Sequence, residues 1–230
     1  MRTKTFRLLA LLLLVAAVGL TGCMADDDDG DEAAGTTTHS MEDMDVTTSS
    51  PAADLRVTLG TLLGEHALLA QFATQKGLKG AEDFEAIGAA LDANSVELSE
   101  AIGSVYGAEA AETFLDGTAL WRDHISFFVD YTTALAKKDK AGQDKAVNDL
   151  MGYVEAFSSF LADATGLPKD ALRDSISEHV DQLKGQIDAY AAGDYERAYT
   201  LLREATHHMW MTGDTLAEAI VAQSPDGFSS

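Results

Sequence analysis

The sequence predicts an all-α protein: a six-helix bundle built from three tandem helical hairpins, with a short α-solenoid as the alternative closure. Three observations carry that prediction. First, Trp121, Ile125, Phe128, Thr132 and Leu135 recur at three- and four-residue steps, with Leu120, His124, Phe127 and Tyr131 running beside them. This is the apolar stripe of an amphipathic helix. Second, the same face occurs twice more, as Leu59, Leu62, His66, Leu69 and Ala73, and as Leu172, Ile176, His179, Leu183 and Ile187. Each copy carries one histidine preceded by an acid (Glu65, Asp123, Glu178), and the histidines are 58 and 55 residues apart. Third, no stretch has the two-residue alternation of a strand.

The chain opens with Arg2, Lys4 and Arg7 before an apolar run over 8–20. That run is short for a membrane span and has the form of a signal peptide. It ends in Leu20-Thr21-Gly22-Cys23, which resembles the bacterial lipobox. The resemblance implies cleavage before Cys23 and palmitate-type acylation of its sulfur, so that residues 1–22 are a leader. Several acyl chains, at roughly 0.8 kcal/mol per buried methylene, would hold the protein at a cell membrane on its extracytoplasmic side. Cys23 is the only cysteine, which excludes an intramolecular disulfide, a CxxC redox pair and thiolate metal sites.

Residues 23–53 read as an acidic tether. Asp, Thr, Ser, Ala and Gly dominate the stretch, with too little apolar surface to offset the entropy of ordering. His39, Met41 and Met44 lie within it, and imidazole and thioether ligands suit Cu(I). The formal net charge is −22; loss of three leader cations makes it −25, of which ten acids in 24–54 carry −10 and residues 55–230 carry −15. Such a surface repels nucleic acid and anionic headgroups and suits cations, basic partners or simple solubility.

The folded region is placed at 54–230, about 175 residues, enough for a packed core. The first helix begins near 53, with Asp54 as N-cap, and ends near 75. The second covers 81–104 with Phe84, Ile87, Leu91, Leu98 and Ile102 inward. The third runs from 108 to Lys137-Lys138, with a break allowed at Asp116-Gly117. The fourth covers 141–164, and Thr165-Gly166-Leu167-Pro168 is a helix stop followed by a start. The fifth covers 169–192 and the sixth 195–222, with Met209 among its inward residues. His124 to Asp139 and His179 to Asp194 are both fifteen residues, and both aspartates open the turn into the next helix.

Four landmarks carry a family resemblance: Leu62-Leu63-Gly64-Glu65-His66, Ala101-Ile102-Gly103-Ser104-Val105-Tyr106-Gly107, Ala189-Tyr190-Ala191-Ala192-Gly193-Asp194-Tyr195, and Gln223-Ser224-Pro225-Asp226-Gly227-Phe228. Over 55–228 the chain resembles a family of uncharacterised secreted bacterial helical proteins, similar to helical segments that accompany copper-amine-oxidase N-terminal-like domains. The resemblance implies an all-helical exported domain and transfers no catalytic residue.

Two sets of residues are candidates for chemistry. In the last helix, Glu204, His207 and Met211 share a face with Asp214, and His208 falls at its edge toward the core. With Met209 and Met211 they offer copper ligands, and with Glu204 a zinc site. The other reading has Met209 in the core and His207 and Met211 on a solvated face. The second set is His66, His124 and His179. Closed around one axis they would converge and join His208 as a metal site; stacked as repeats they would lie roughly 10 Å apart per layer. The repeat spacing favours the second arrangement, with Asn94, Asn148 and Asp149 as hydrogen-bond partners.

The chain has no GxSxG, HExxH, Walker or GxGxxG motif, and a Glu-x-x-His step without a second copy does not make a two-metal bundle. Catalysis is the minority reading. The sequence points instead to a membrane-anchored helical binding protein, with copper or another transition metal as candidate ligand. The alternative is a helical protein–protein interaction module whose histidines are structural.

Overall fold

The computed structural model describes residues 48–228. The expected leader over 1–22, Cys23, and His39, Met41 and Met44 of the expected tether lie outside the described residues. Within them run α1 (Pro51–Lys79), α2 (Phe84–Tyr106), α3 (Ala108–Asp116), α4 (Trp121–Ala136), α5 (Lys140–Thr165), α6 (Lys169–Ala191) and α7 (Tyr195–Gln223), then a 3₁₀ turn, Pro225–Gly227. None of these helices is long and apolar enough to cross a membrane.

Capping chemistry sets most of the ends. Helix α1 starts earlier than the sequence predicts. Ser50, not Asp54, is the N-cap: its hydroxyl accepts from Ala53 N–H, and Pro51 occupies the first turn. Asp54 falls inside that turn. Lys76 closes the α1–α2 turn by an ion pair to Asp83 at 2.6 Å. Asp139 and Asp194 cap α5 and α7, accepting from Gly142 and Arg197 N–H as their spacing predicts.

The predicted third helix is broken into α3 and α4. Gly117 causes the break by close approach. A Cβ there would lie 2.4 Å from the Thr113 carbonyl oxygen. Asp123 then secures the restart by accepting from Ala119 N–H at 2.6 Å. Counted as one broken helix, α3 and α4 leave six helices in three hairpins.

Closure is that of a bundle. Helix α1 packs most extensively on α7, so the first and last helices meet, and α1 also touches α4 and α6. A solenoid would restrict contacts to sequence neighbours. The α1–α7 crossing is very close because two glycines face each other: a Cβ on Gly213 would lie 2.6 Å from Gly60 N. The main core runs from Leu59 and Leu63 through Trp121, Tyr153 and Phe157 to Ile187 and Ile220, and Ala189, Tyr190 and Ala198 form a small second cluster.

A buried histidine triad as candidate metal centre

The closure turns the histidine faces of α1, α4 and α6 toward one another. His66, His124 and His179 are 0 %, 1 % and 3 % exposed. His66 Nε2 and His124 Nε2 are 3.3 Å apart. The ring centroids lie 5.3 Å (His66–His124), 5.9 Å (His66–His179) and 6.4 Å (His124–His179) from one another. One nitrogen from each ring falls within 4.8 Å of the others. Among the described residues, this is the group of His, Asp, Glu or Cys side chains placed to share one ion.

This overturns the expectation of separated core histidines. Repeats related by rotation about a bundle axis bring equivalent positions together, whereas stacking would have kept them a layer apart. Of the expected partners, Asn148 is exposed and the other two are engaged elsewhere. Asn94 donates to the Leu62 carbonyl and to Glu65, and Asp149 pairs with Lys145. No hydrogen bond reaches His66 Nδ1, His124 Nδ1 or either nitrogen of His179.

Aromatic rings hold the imidazoles in place. Trp121 lies against His66 and His124 with centroids at 4.6 and 4.9 Å, and its indole N–H is anchored on Ser95 Oγ at 3.1 Å. Tyr153 stacks on His124 at 4.5 Å. The sequence marks Trp121 as an inward residue but not as the wall of a site, and does not single out Tyr153; only the closure brings the two to the histidines.

Burial keeps all three rings neutral. It pushes His66 well below the ordinary imidazole range, with His124 and His179 acting in the same direction. His124 is held down at about 3 by burial and then by His179, against a weaker opposing effect of the Trp121 and Leu120 backbone. His179 is held at about 4 by burial and then by His208. A neutral imidazole presents the lone pair that a metal needs, without competition from a proton.

The residues fit an ion. Three nitrogens at the usual metal–nitrogen distance of about 2.0 Å would stand about 3.5 Å apart in a trigonal plane, so small side-chain rotations close the observed spacing. No carboxylate or thiolate is among the donors. The two internal spaces that touch the triad have no acidic lining residue either. A metal here would keep its whole charge in apolar surroundings. The desolvation cost rises with the square of the charge, which favours a monovalent ion over a divalent one.

The last-helix candidates are placed differently. Glu204, His207 and Met211 are exposed on α7, and Met209 is buried in the core. Asp214 is buried and bonded at both oxygens by Arg56, at 2.9 and 2.5 Å. His208 is half-buried: its Nε2 lies 2.9 Å from the Ser175 carbonyl. Glu204, His207, His208, Met209 and Met211 therefore do not converge as a set. Comparison with family models, curated proteins and solved structures returns no match for this chain.

Proposed function

We propose that this chain is a membrane-anchored, extracytoplasmic helical protein that binds a transition-metal ion, foremost copper in its monovalent state, through His66, His124 and His179. One observation carries the reading: three fully buried neutral imidazoles, from three helices, with donors within 4.8 Å of one another and at least one nitrogen of each without a hydrogen bond. Leaving such groups unpaired in a core costs about 1–3 kcal/mol each, which an ion would offset. Imidazole suits copper, zinc, nickel and iron, and the lack of a charged ligand favours Cu(I) among them. The lipobox-like Leu20-Thr21-Gly22-Cys23 supports the anchored location. The alternative, an interaction module with structural histidines, draws on the mutual His66–His124 contact, which leaves two of the rings partly satisfied without a metal.

The test is bound metal by elemental analysis of the full-length protein, purified without chelator, then loaded with copper or zinc and desalted. We expect about one equivalent of copper, lost in His124→Ala and kept in a His39→Ala, Met41→Leu, Met44→Leu triple variant. Retention in His124→Ala with loss in the triple variant would move the site to the tether. No retention in the unsubstituted protein would leave the interaction module.

A further inference from the structure

Two separate spaces touch the triad. One, between α1, α2 and α4, reaches His66 and His124 past Phe84, Leu91 and Phe128. Besides the two histidines, its polar lining residues are Thr74, Thr132 and Thr133. The other reaches His179 and runs from Trp121 and Tyr153 to α7. A third hollow, bordered by Pro168 and Leu172, has Met211 on its wall, and Met211 is 43 % exposed. The second and third spaces share four lining residues: Ser175, His208, Thr212 and Leu216. These residues form a partition with the outer hollow on one side and His179 on the other.

Three of the partition's four residues are polar and linked by hydrogen-bond contacts. His208 Nε2 meets the Ser175 carbonyl at 2.9 Å and Ser175 Oγ at 3.3 Å, and Ser175 Oγ lies 3.4 Å from Thr212 Oγ1. A carbonyl only accepts, so in that contact the His208 Nε2 carries a proton, and Nδ1 is the ring's second nitrogen. That Nδ1 lies 3.8 Å from the Glu178 carboxylate. A cation leaving water at this point would find a thioether, then an imidazole nitrogen beside a carboxylate, then His179. The apolar space by Phe84 offers a stripped cation no thioether or imidazole ahead of His66 and His124 themselves.

We propose that this partition is the way in for the metal, with Met211 and His208 taking the ion in turn and passing it to His179. The proposal rests on the metal-binding reading of the triad. Each step exchanges one protein donor for the next, so the ion keeps its oxidation state. His208 needs only to swing from the Ser175 carbonyl.

The test follows Cu(I) transfer from its coloured bicinchoninate complex to the metal-free full-length protein by stopped-flow absorbance. His208→Gln keeps an N–H for the Ser175 carbonyl and removes the imidazole donor; Met211→Leu removes the thioether. We expect loading to slow by about ten-fold or more in His208→Gln and less in Met211→Leu, with one equivalent bound at the end in both. Val129→Trp, which narrows the apolar space, should load at the unsubstituted rate. Unchanged rates in His208→Gln and Met211→Leu would overturn the passage. So would lost stoichiometry in His208→Gln, which would make His208 a resident ligand. If the unsubstituted protein takes up no copper, the metal reading falls and the passage with it. Uptake that His124→Ala abolishes but His208→Gln does not slow would sink the passage alone.

Discussion

His66 and His124 meet through their Nε2 atoms at 3.3 Å, although 58 residues separate them in the chain. One proton serves that contact, because both rings are neutral. One imidazole donates, the other accepts, and each keeps a buried Nδ1 without a hydrogen bond. His179, close to both, has no hydrogen bond at either nitrogen. The core therefore carries a polar cluster that packing alone does not require. Leucine in its place would avoid the desolvation of four ring nitrogens left without a hydrogen bond, so the cluster costs stability in the metal-free state.

His179→Leu should expose that cost. The rings are of similar volume to a leucine side chain, and His179 loses no hydrogen bond on replacement. The metal-free variant should be more stable than the parent by about 1 kcal/mol at pH 7, while losing the bound metal. The acid limb should change as well. In the unfolded chain a histidine takes up its proton near 6.5, whereas folded His179 does so near 4 and His124 near 3. Between those values the unfolded state binds more protons. Stability is therefore complete above about pH 6.5 and declines as pH falls toward 4, by up to about 1.4 kcal/mol per pH unit for each ring. Thermal unfolding from pH 7.5 to 4 should show a shallower decline in His179→Leu than in the parent. Equal slopes would mean that His179 is not held neutral by the fold.

The two tryptophans separate the candidate metal sites optically. Trp121 is buried against His66 and His124, whereas Trp210 is 46 % exposed on α7 beside Met211. In Trp210→Phe the remaining emission should be blue-shifted and strongly quenched on addition of one equivalent of copper, since the ring is in contact with the ligands. In Trp121→Phe, copper should quench the Trp210 emission weakly. The reverse pattern would place the ion on the exposed face of α7, with His207 and Met211.

Helix faces were legible in the sequence and their meeting was not. The stripe through Trp121, Phe128 and Thr132 is buried as its three- and four-residue steps require, and the fifteen-residue steps from His124 and His179 do end on capping aspartates. Periodicity states which side of a helix faces inward. It is silent on which other helix that side meets, so the same three histidines fit a solenoid, a layer apart, and a bundle, in contact. The glycines that decide closure give no hydrophobic signal at all. Gly60 and Gly213 matter because they let α1 and α7 approach, and that closes the ring of helices. In α7 the helical spacing of Glu204, His207 and Met211 is correct, but that face points to solvent. Asp214, expected on the same face, is covered by Arg56 from α1, a contact 158 residues away in sequence.

Glycine substitutions should divide sharply by position. At Gly213 a methyl group would lie 2.6 Å from Gly60 N, and backbone cannot give way as a side-chain tip can. Gly213→Ala should destabilise by about 1–3 kcal/mol through forced separation of α1 and α7. Gly152 is exposed in the middle of α5, and a Cβ there meets nothing within 4 Å. Gly152→Ala should stabilise by about 0.5–1 kcal/mol through helix propensity alone. Denaturant midpoints of the two variants test both signs. A Gly213→Ala protein as stable as the parent would show that the crossing is looser than the geometry here.

The internal repeat makes a final prediction at the α4–α5 turn. Its backbone bonds, Lys137 N–H to Thr133, Lys138 N–H to Leu135 and Asp139 N–H to Ala134, recur 55 residues later as Ala192 to Asp188, Gly193 to Tyr190 and Asp194 to Ala189. Both turns place one residue in the left-handed region: Gly193 at φ 80°, and Lys138 at φ 57°. A lysine there carries a steric cost that glycine avoids, roughly 1 kcal/mol. Lys138 is exposed, so its side chain leaves no core contact behind. Lys138→Gly should therefore raise the melting temperature by about 2–4 °C, the shift expected for about 1 kcal/mol in a domain of this size. The converse change, Gly193→Lys, should lower it by a similar amount. A destabilised Lys138→Gly would mean that the entropy glycine adds to the unfolded chain outweighs the strain it relieves, and that the two turns, alike in bonding, differ in what holds them.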